Sequence, residues 1–128
     1  MPVKTKFEIE YPLRASAEMI YKRISNSAGL SEWFADNVTQ QGSMFTFDWN
    51  GNKQRAKQIE NERLRHVTYQ WIDECDEEGS VFKFLLREDE LTKSLSLIIE
   101  DFADEDEADE TIELWDKQIG VLKRKLGI

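Results

Sequence analysis

At 128 residues, 40% hydrophobic and 11% aromatic, the chain has the length of one domain and enough apolar mass for one core, which excludes a disordered polymer. Its longest apolar-biased run, Leu95-Ser96-Leu97-Ile98-Ile99, is far short of the roughly 20 residues that a membrane span requires, so a membrane-embedded protein is excluded as well. With 17 basic against 26 acidic side chains and a formal charge of −9, it lacks the basic excess of a phosphate groove, and no nucleic-acid partner is expected.

In chain order, the first segment alternates. From Val3 to Leu13, Val3, Phe7, Ile9, Tyr11 and Leu13 share one side while Lys4, Lys6, Glu8 and Glu10 share the other, the pattern of a half-buried antiparallel strand. The chain enters this strand directly, with no apolar signal-peptide region. Its lone Cys75 cannot form an intrachain disulfide, and together these features predict a soluble, cytoplasmic protein. Ser16 then reads as a helix N-cap, and Ala17 to Ile24 sets Ile20 and Ile24 on one face. Asn26-Ser27 interrupts the helix, and Ser27 is expected to cap a second short one carrying Leu30, Trp33 and Phe34.

The middle of the chain reads as a strand meander. Ser43 to Trp49 aligns Phe45, Phe47 and Trp49, and Asn50-Gly51-Asn52 supplies the left-handed conformations of a tight hairpin. Lys53 to Glu60 is a polar strand with only Ala56 and Ile59 apolar. Arg65 to Ile72 alternates Val67, Tyr69 and Trp71 against His66, Thr68 and Gln70, which sends the single histidine toward solvent. An acidic loop from Asp73 to Gly79 turns the chain into Val81 to Glu88, with Phe82, Phe84 and Leu86. Arg87 to Leu91 reverses it, and Lys93 to Ile99 adds Leu95, Leu97 and Ile99.

The entire net charge lies in the next segment. Glu100 to Glu113 holds nine acids and no base, leaving 17 against 17 in the remainder. The segment reads as a solvated loop running into a helix N-terminus, where carboxylates favour the positive end of the helix dipole; a cation site or a docking patch for a basic partner is the other reading. The closing helix, from about Asp106 to Leu126, carries Ile112, Trp115, Ile119, Leu122 and Leu126 as one stripe and is roughly 30 Å long.

One strand, two short helices, a meander and one long helix define an α+β fold, in which a curved antiparallel sheet of about six to seven strands wraps a C-terminal helix. That order, with Ala15-Ser16-Ala17-Glu18-Met19-Ile20-Tyr21 leading to Gly29-Leu30-Ser31-Glu32-Trp33-Phe34, resembles the START-like (SRPBCC) helix-grip superfamily. Within it, the chain is most similar to the branch related to the C-terminal domain of the activator of the Hsp90 ATPase. The likeness covers nearly all of residues 1–128, including Gly42-Ser43-Met44-Phe45-Thr46-Phe47, Glu60 to Trp71, and the helix with Trp115 and Leu122. The resemblance implies one helix-grip domain enclosing an apolar cavity between sheet and helix. Members of the superfamily carry lipids, sterols or polyketides, a few are cyclases, and others dock on proteins.

Catalytic machinery is sparse. His66 and Cys75 do not make a zinc set, the glycines are scattered rather than gathered into a phosphate loop, and Asp104, Asp106 and Asp109 lack the glycine and terminal glutamate of a calcium loop. No catalytic residue, metal or cofactor is therefore expected. The aromatic residues fit two readings: a filled core, or the wall of a ligand pocket with few polar anchors. The expected lining is Trp33, Phe45, Phe47, Tyr69, Trp71, Phe84, Trp115 and Ile119, with the Trp33-Phe34 region and the strand loops at the entrance and opening controlled by movement of the long helix or the loop near Asn37. Tyr69 is the best polar anchor, because a buried hydroxyl requires a partner. The leading expectation is a module that binds an apolar or amphipathic, lipid-like small molecule. The alternative is a protein-interaction adaptor, chaperone-cofactor-like as the resemblance implies, that works through its acidic surface; a cyclase or hydrolase ranks last. Monomer and homodimer both remain open.

Overall fold

A computed structural model describes residues 4–72, 80–92 and 94–128. Strand β1 (Lys4–Leu13) leads to helices α1 (Ala17–Ile24) and α2 (Ser27–Leu30). Strands β2 (Asn37–Gln41), β3 (Met44–Trp49), β4 (Asn52–Glu62), β5 (His66–Trp71), β6 (Val81–Glu88) and β7 (Leu95–Asp104) come next. A 3₁₀ turn over Glu105–Glu107 then enters helix α3 (Ala108–Leu126). The strands form one seven-stranded antiparallel sheet in the order β1-β7-β6-β5-β4-β3-β2, a meander that β1 completes by pairing with β7. This is the expected helix-grip arrangement, a curved sheet around one long helix.

Local chemistry accounts for the corners. Asn50 and Gly51 both take positive φ, 53° and 86°, and make the two-residue turn closed by the Trp49–Asn52 pair. The β4–β5 turn places Leu64 at φ 65°, a conformation that costs a side-chain-bearing residue and is held by the pairing on either side. In β4 the register slips between Gln58 and Glu60, so Ile59 is an extra residue that bends the strand and faces solvent. Ser16 caps α1 as expected, accepting from the Met19 amide at 3.1 Å.

Several boundaries depart from the sequence reading. The cap of α2 is Asn26, whose Oδ1 accepts from the Gly29 amide at 2.8 Å, while Ser27 is already helical. Helix α2 stops at Leu30, so Trp33 and Phe34 occupy the turn beyond it. The segment near Asn37, expected as a loop, is edge strand β2, paired with β3 from Asn37–Asp48 to Gln41–Met44. Strand β7 runs five residues past Ile99 to Asp104, so Glu100, Asp101 and Asp104 belong to the sheet rather than to a solvated loop. The charge there is tolerated because β1 lies alongside with Lys6, whose Nζ pairs with Glu100 at 2.5 Å. His66 is mostly covered rather than solvent-facing: its side chain is 19% exposed, and Nε2 lies 3.1 Å from Glu62. The expected Asp73 to Gly79 loop, including Cys75, lies outside the described residues.

The core sits between the concave face and the helices. Cross-strand rows bring Val67, Phe84 and Ile99 together, with Tyr69 beside Phe82. Helix α3 closes this face with Trp115, Ile119 and Leu122, and α1 adds Ile20 and Ile24. Leu13, Leu30, Trp33, Phe34, Phe45 and Phe47 complete one contiguous buried cluster. Gly29 is required where α2 meets α1, because a Cβ there would lie 2.0 Å from the Lys22 carbonyl oxygen.

Candidate functional site

The turn after α2 delivers Phe34 beneath the first half of α3, where it is 4% exposed. Its ring stacks on Phe82 (5.6 Å, 24°) and on Trp115 (5.6 Å, 29°) and meets Phe47 and Trp49 edge-on at 5.2 and 5.5 Å. Its carbonyl is equally committed, accepting from Trp49 Nε1 at 2.8 Å and Gln118 Nε2 at 2.9 Å. One residue thus ties the end of β3 to the middle of α3.

Beside this junction lies a cleft of about 330 Å³, lined by Phe34, Trp49, Asp101, Thr111, Leu114, Trp115 and Gln118. Residues 111, 114, 115 and 118 recur at three- and four-residue steps, so α3 presents them along one side of the helix. Leu114 is 60% exposed and stands at the rim; Trp115 is 5% exposed and forms the inner wall. Trp115 Nε1 donates to Asp101 Oδ2 at 2.9 Å, and Asp101 Oδ1 accepts from the Phe102 amide at 2.8 Å, which fixes both the indole and the carboxylate. The lining combines apolar rings, one carboxylate and two polar side chains, the make-up of a small-ligand site at the lower end of the usual size range.

With that architecture in view, kinship is clear: a model of the START-like superfamily domain matches residues 1–128. The chain belongs to the START-like superfamily. Among solved structures, BfR322 from Bacteroides fragilis is 32% identical, over 100% of this chain and 94% of that one, with a TM-score of 0.70. The Aha1 dimer from Colwellia psychrerythraea is 20% identical over 93% of each chain, with a TM-score of 0.78, a likeness of fold. CalU16 from Micromonospora echinospora is 18% identical over 94% of this chain and 75% of that one, with a TM-score of 0.72. No curated protein matches the chain.

Within the START-like frame, the residues expected to line a pocket separate into two groups. Phe45, Phe47, Tyr69, Phe84, Ile119 and Trp33 are buried in the packed core, and Trp71 is half-buried at its edge against Phe47 and Phe82. Of the eight, Trp115 borders the cleft. The Tyr69 hydroxyl finds its partners within the protein: it donates to the Ile24 carbonyl at 2.6 Å and accepts from Gln58 Nε2 at 3.1 Å. Burial pushes this phenol well above its ordinary range. Trp33 is likewise anchored, donating from Nε1 to the Arg23 carbonyl at 2.8 Å. Among the described residues, no group of three or more His, Cys, Asp and Glu side chains is placed to hold a metal, and no helix is long and apolar enough to cross a membrane.

Phe34 belongs to the entrance the sequence predicts and Trp49 to the aromatic face of its strand, whereas Thr111, Leu114 and Gln118 are lining residues that the sequence does not single out. Leu114 carries the one available signal: it lies off the Ile112-Trp115-Ile119-Leu122 stripe, an apolar residue on the polar side of an amphipathic helix.

Proposed function

We propose that the protein binds one apolar or amphipathic small molecule in the cleft bounded by Phe34, Trp49, Leu114 and Trp115. The observation that carries this reading is the cleft itself: about 330 Å³ of concave space with an aromatic wall and an exposed leucine at its rim, beside the helix that grips the sheet. The ligand's apolar part is desolvated against the rings, and Thr111, Gln118 and Asp101 supply polar contacts near its other end. Trp115 is the ligand contact among the residues expected from sequence. The fully buried Phe45, Phe47, Tyr69 and Phe84 form the packed support behind it. Their burial favours a small ligand at the edge of the core over a large one within it.

Mass spectrometry under native and then denaturing conditions tests for a small molecule that travels with the folded chain and leaves on unfolding. Titration with octan-1-ol, read by tryptophan fluorescence, tests the cleft directly. Leu114→Gln should weaken that binding several-fold while leaving the melting temperature nearly unchanged, since Leu114 is exposed on a helix that glutamine suits. Unchanged affinity in this variant would move the site elsewhere.

A second reading is favoured by a separate observation. Glu105, Asp106, Glu107, Asp109, Glu110 and Glu113 are all exposed around the start of α3, a surface suited to an adaptor that captures a basic protein partner. Such capture should fall steeply as salt rises, because exposed charges are screened within about 10 Å at 0.1 M ionic strength.

A further inference from the structure

Strand β1 is the last strand of the sheet and, among the described residues, pairs along one edge only, with β7. Alternate residues along it therefore direct their backbone N–H and C=O groups outward. Its core face is incompletely covered. The cross-strand row Val67-Phe84-Ile99 is fully buried, yet Ile9, which continues that row at the edge, is only half-buried, as are Phe7 and Tyr11 on either side of it. On the other face of the strand Lys6, Glu8 and Glu10 are exposed. Glu8 stands directly across from Glu100, a juxtaposition of like charges that Lys6 offsets from one side through its pairing with Glu100.

We propose that this edge is an interface between two copies of the chain, joined by antiparallel pairing of β1 with β1 about a two-fold axis at Phe7. The order Lys4-Thr5-Lys6-Phe7-Glu8-Ile9-Glu10 is its own electrostatic complement when reversed. Residues directly opposite each other in an antiparallel pair lie on the same face of the sheet. With Phe7 on the axis, Lys6 faces Glu8 of the second copy, Glu8 faces its Lys6, and position 4 meets position 10. Centring the pair on Lys6 or Glu8 instead sets that residue against its own copy, so like charges select one register. On the core face Phe7 meets Phe7 and Ile9 meets Thr5, which extends cover over the half-buried row and continues the sheet across the axis. Pro12, which has no N–H, lies just beyond the paired segment, itself about 24 Å long at roughly 3.4 Å per residue. Charges on an edge strand ordinarily discourage pairing; here their order discourages the neighbouring registers and favours this one. The other free edge, β2, is short and uncharged from Asn37 to Gln41 and carries no such selection. At about 0.15 M salt, where charges are screened beyond roughly 8 Å, the net charge of −9 opposes association weakly while the contacting Lys–Glu pairs persist.

Sedimentation velocity of the full chain in about 0.15 M salt, from about 5 μM to about 1 mM protein, tests the interface, since a dimer must grow with concentration. Glu8→Lys and Lys6→Glu each set like charges across the axis and should weaken association at least tenfold, with circular dichroism showing both variants folded. Mixed in equal amounts, the two variants are complementary again and should restore a dimer that neither forms alone. Should Lys6→Glu fail to fold because Glu100 loses its partner, the doubly exchanged chain, Lys6→Glu with Glu8→Lys, supplies the same rescue as a homodimer. Thr39→Lys, at the centre of the β2 edge, should leave association unchanged. A wild-type chain that stays monomeric to about 1 mM would overturn the proposal. So would a dimer that survives both single exchanges, a mixture or double exchange that restores nothing, or a dimer abolished by Thr39→Lys, which would move the interface to β2.

Discussion

The rings of Phe34 and Trp115 lie 5.6 Å apart at 29°, joining the connection after α2 to the closing helix across the rim of the sheet. Because the Phe34 carbonyl also holds Trp49 and Gln118, packing and hydrogen bonding converge on the same residue. Phe34→Ala should therefore cost about 3–5 kcal/mol, the range for truncating a buried aromatic residue. Urea unfolding followed by circular dichroism would show the loss as a lower midpoint. A change below about 1 kcal/mol would mean that the junction does not hold the fold together.

Two glycines make opposite predictions for one substitution. At Gly29 an added methyl meets the Lys22 carbonyl oxygen at 2.0 Å and the Arg23 Cα at 2.7 Å, both backbone, so α1 and α2 must separate. Gly29→Ala should destabilise by at least the roughly 1–3 kcal/mol typical of overpacking. At Gly120, inside α3, nothing lies within 4 Å of the added carbon. There Gly→Ala should stabilise by about 0.5–1 kcal/mol through helix propensity. Paired thermal melts would check both signs.

Cap identity at α2 is testable at adjacent positions. Asn26→Ala removes the acceptor for the Gly29 amide and should cost about 1 kcal/mol, whereas Ser27→Ala, one residue into the helix, should be neutral or stabilise by a few tenths through helix propensity. Equal losses in chemical denaturation would contradict the assignment of Asn26 as the cap.

Tyr69 carries an alkaline prediction. Burial raises its phenol above the ordinary value near 10, so the folded state favours the protonated form. A group whose folded pKa is raised contributes stability that is complete below the unfolded pKa. That stability is lost as pH climbs above about 10 toward the folded value. Tyr11 shifts in the same direction, chiefly through burial and also through its hydrogen bond to Asp116 at 2.6 Å. Melting temperature should thus fall as pH rises from about 10 to 12, less steeply in Tyr69→Phe. At neutral pH that variant should lose about 1–3 kcal/mol, because the Ile24 carbonyl loses its hydroxyl donor while the Gln58 amide keeps only the Ser25 carbonyl. An identical alkaline slope in the variant would exclude Tyr69 as the source.

Much of the scaffold is legible because its signals are local. Alternation marks β1, β3, β5 and β6, Asn50-Gly51 marks its hairpin, and the three- and four-residue stripe from Ile112 to Leu126 marks α3. Strand β2 is not legible, since Asn37-Val38-Thr39-Gln40-Gln41 holds one apolar residue and becomes a strand only because β3 offers its edge. The far half of β7 reads as a loop for a related reason. Its acids look solvated in isolation, and only pairing with β1 brings Lys6 against Glu100.

Periodicity, motif order and composition along the chain carry the α+β class, the helix-grip order, the START-like membership and the aromatic character of the core. Tertiary structure decided which aromatics are interior and which border open space. Phe45 and Trp49 sit on the same strand at the same parity, yet one is fully buried and the other bounds the cleft. That distinction depends on where a helix lies over a curved sheet. Its position is set by long-range contacts such as Phe34 on Trp115 and Tyr11 on Asp116, which residue spacing does not encode.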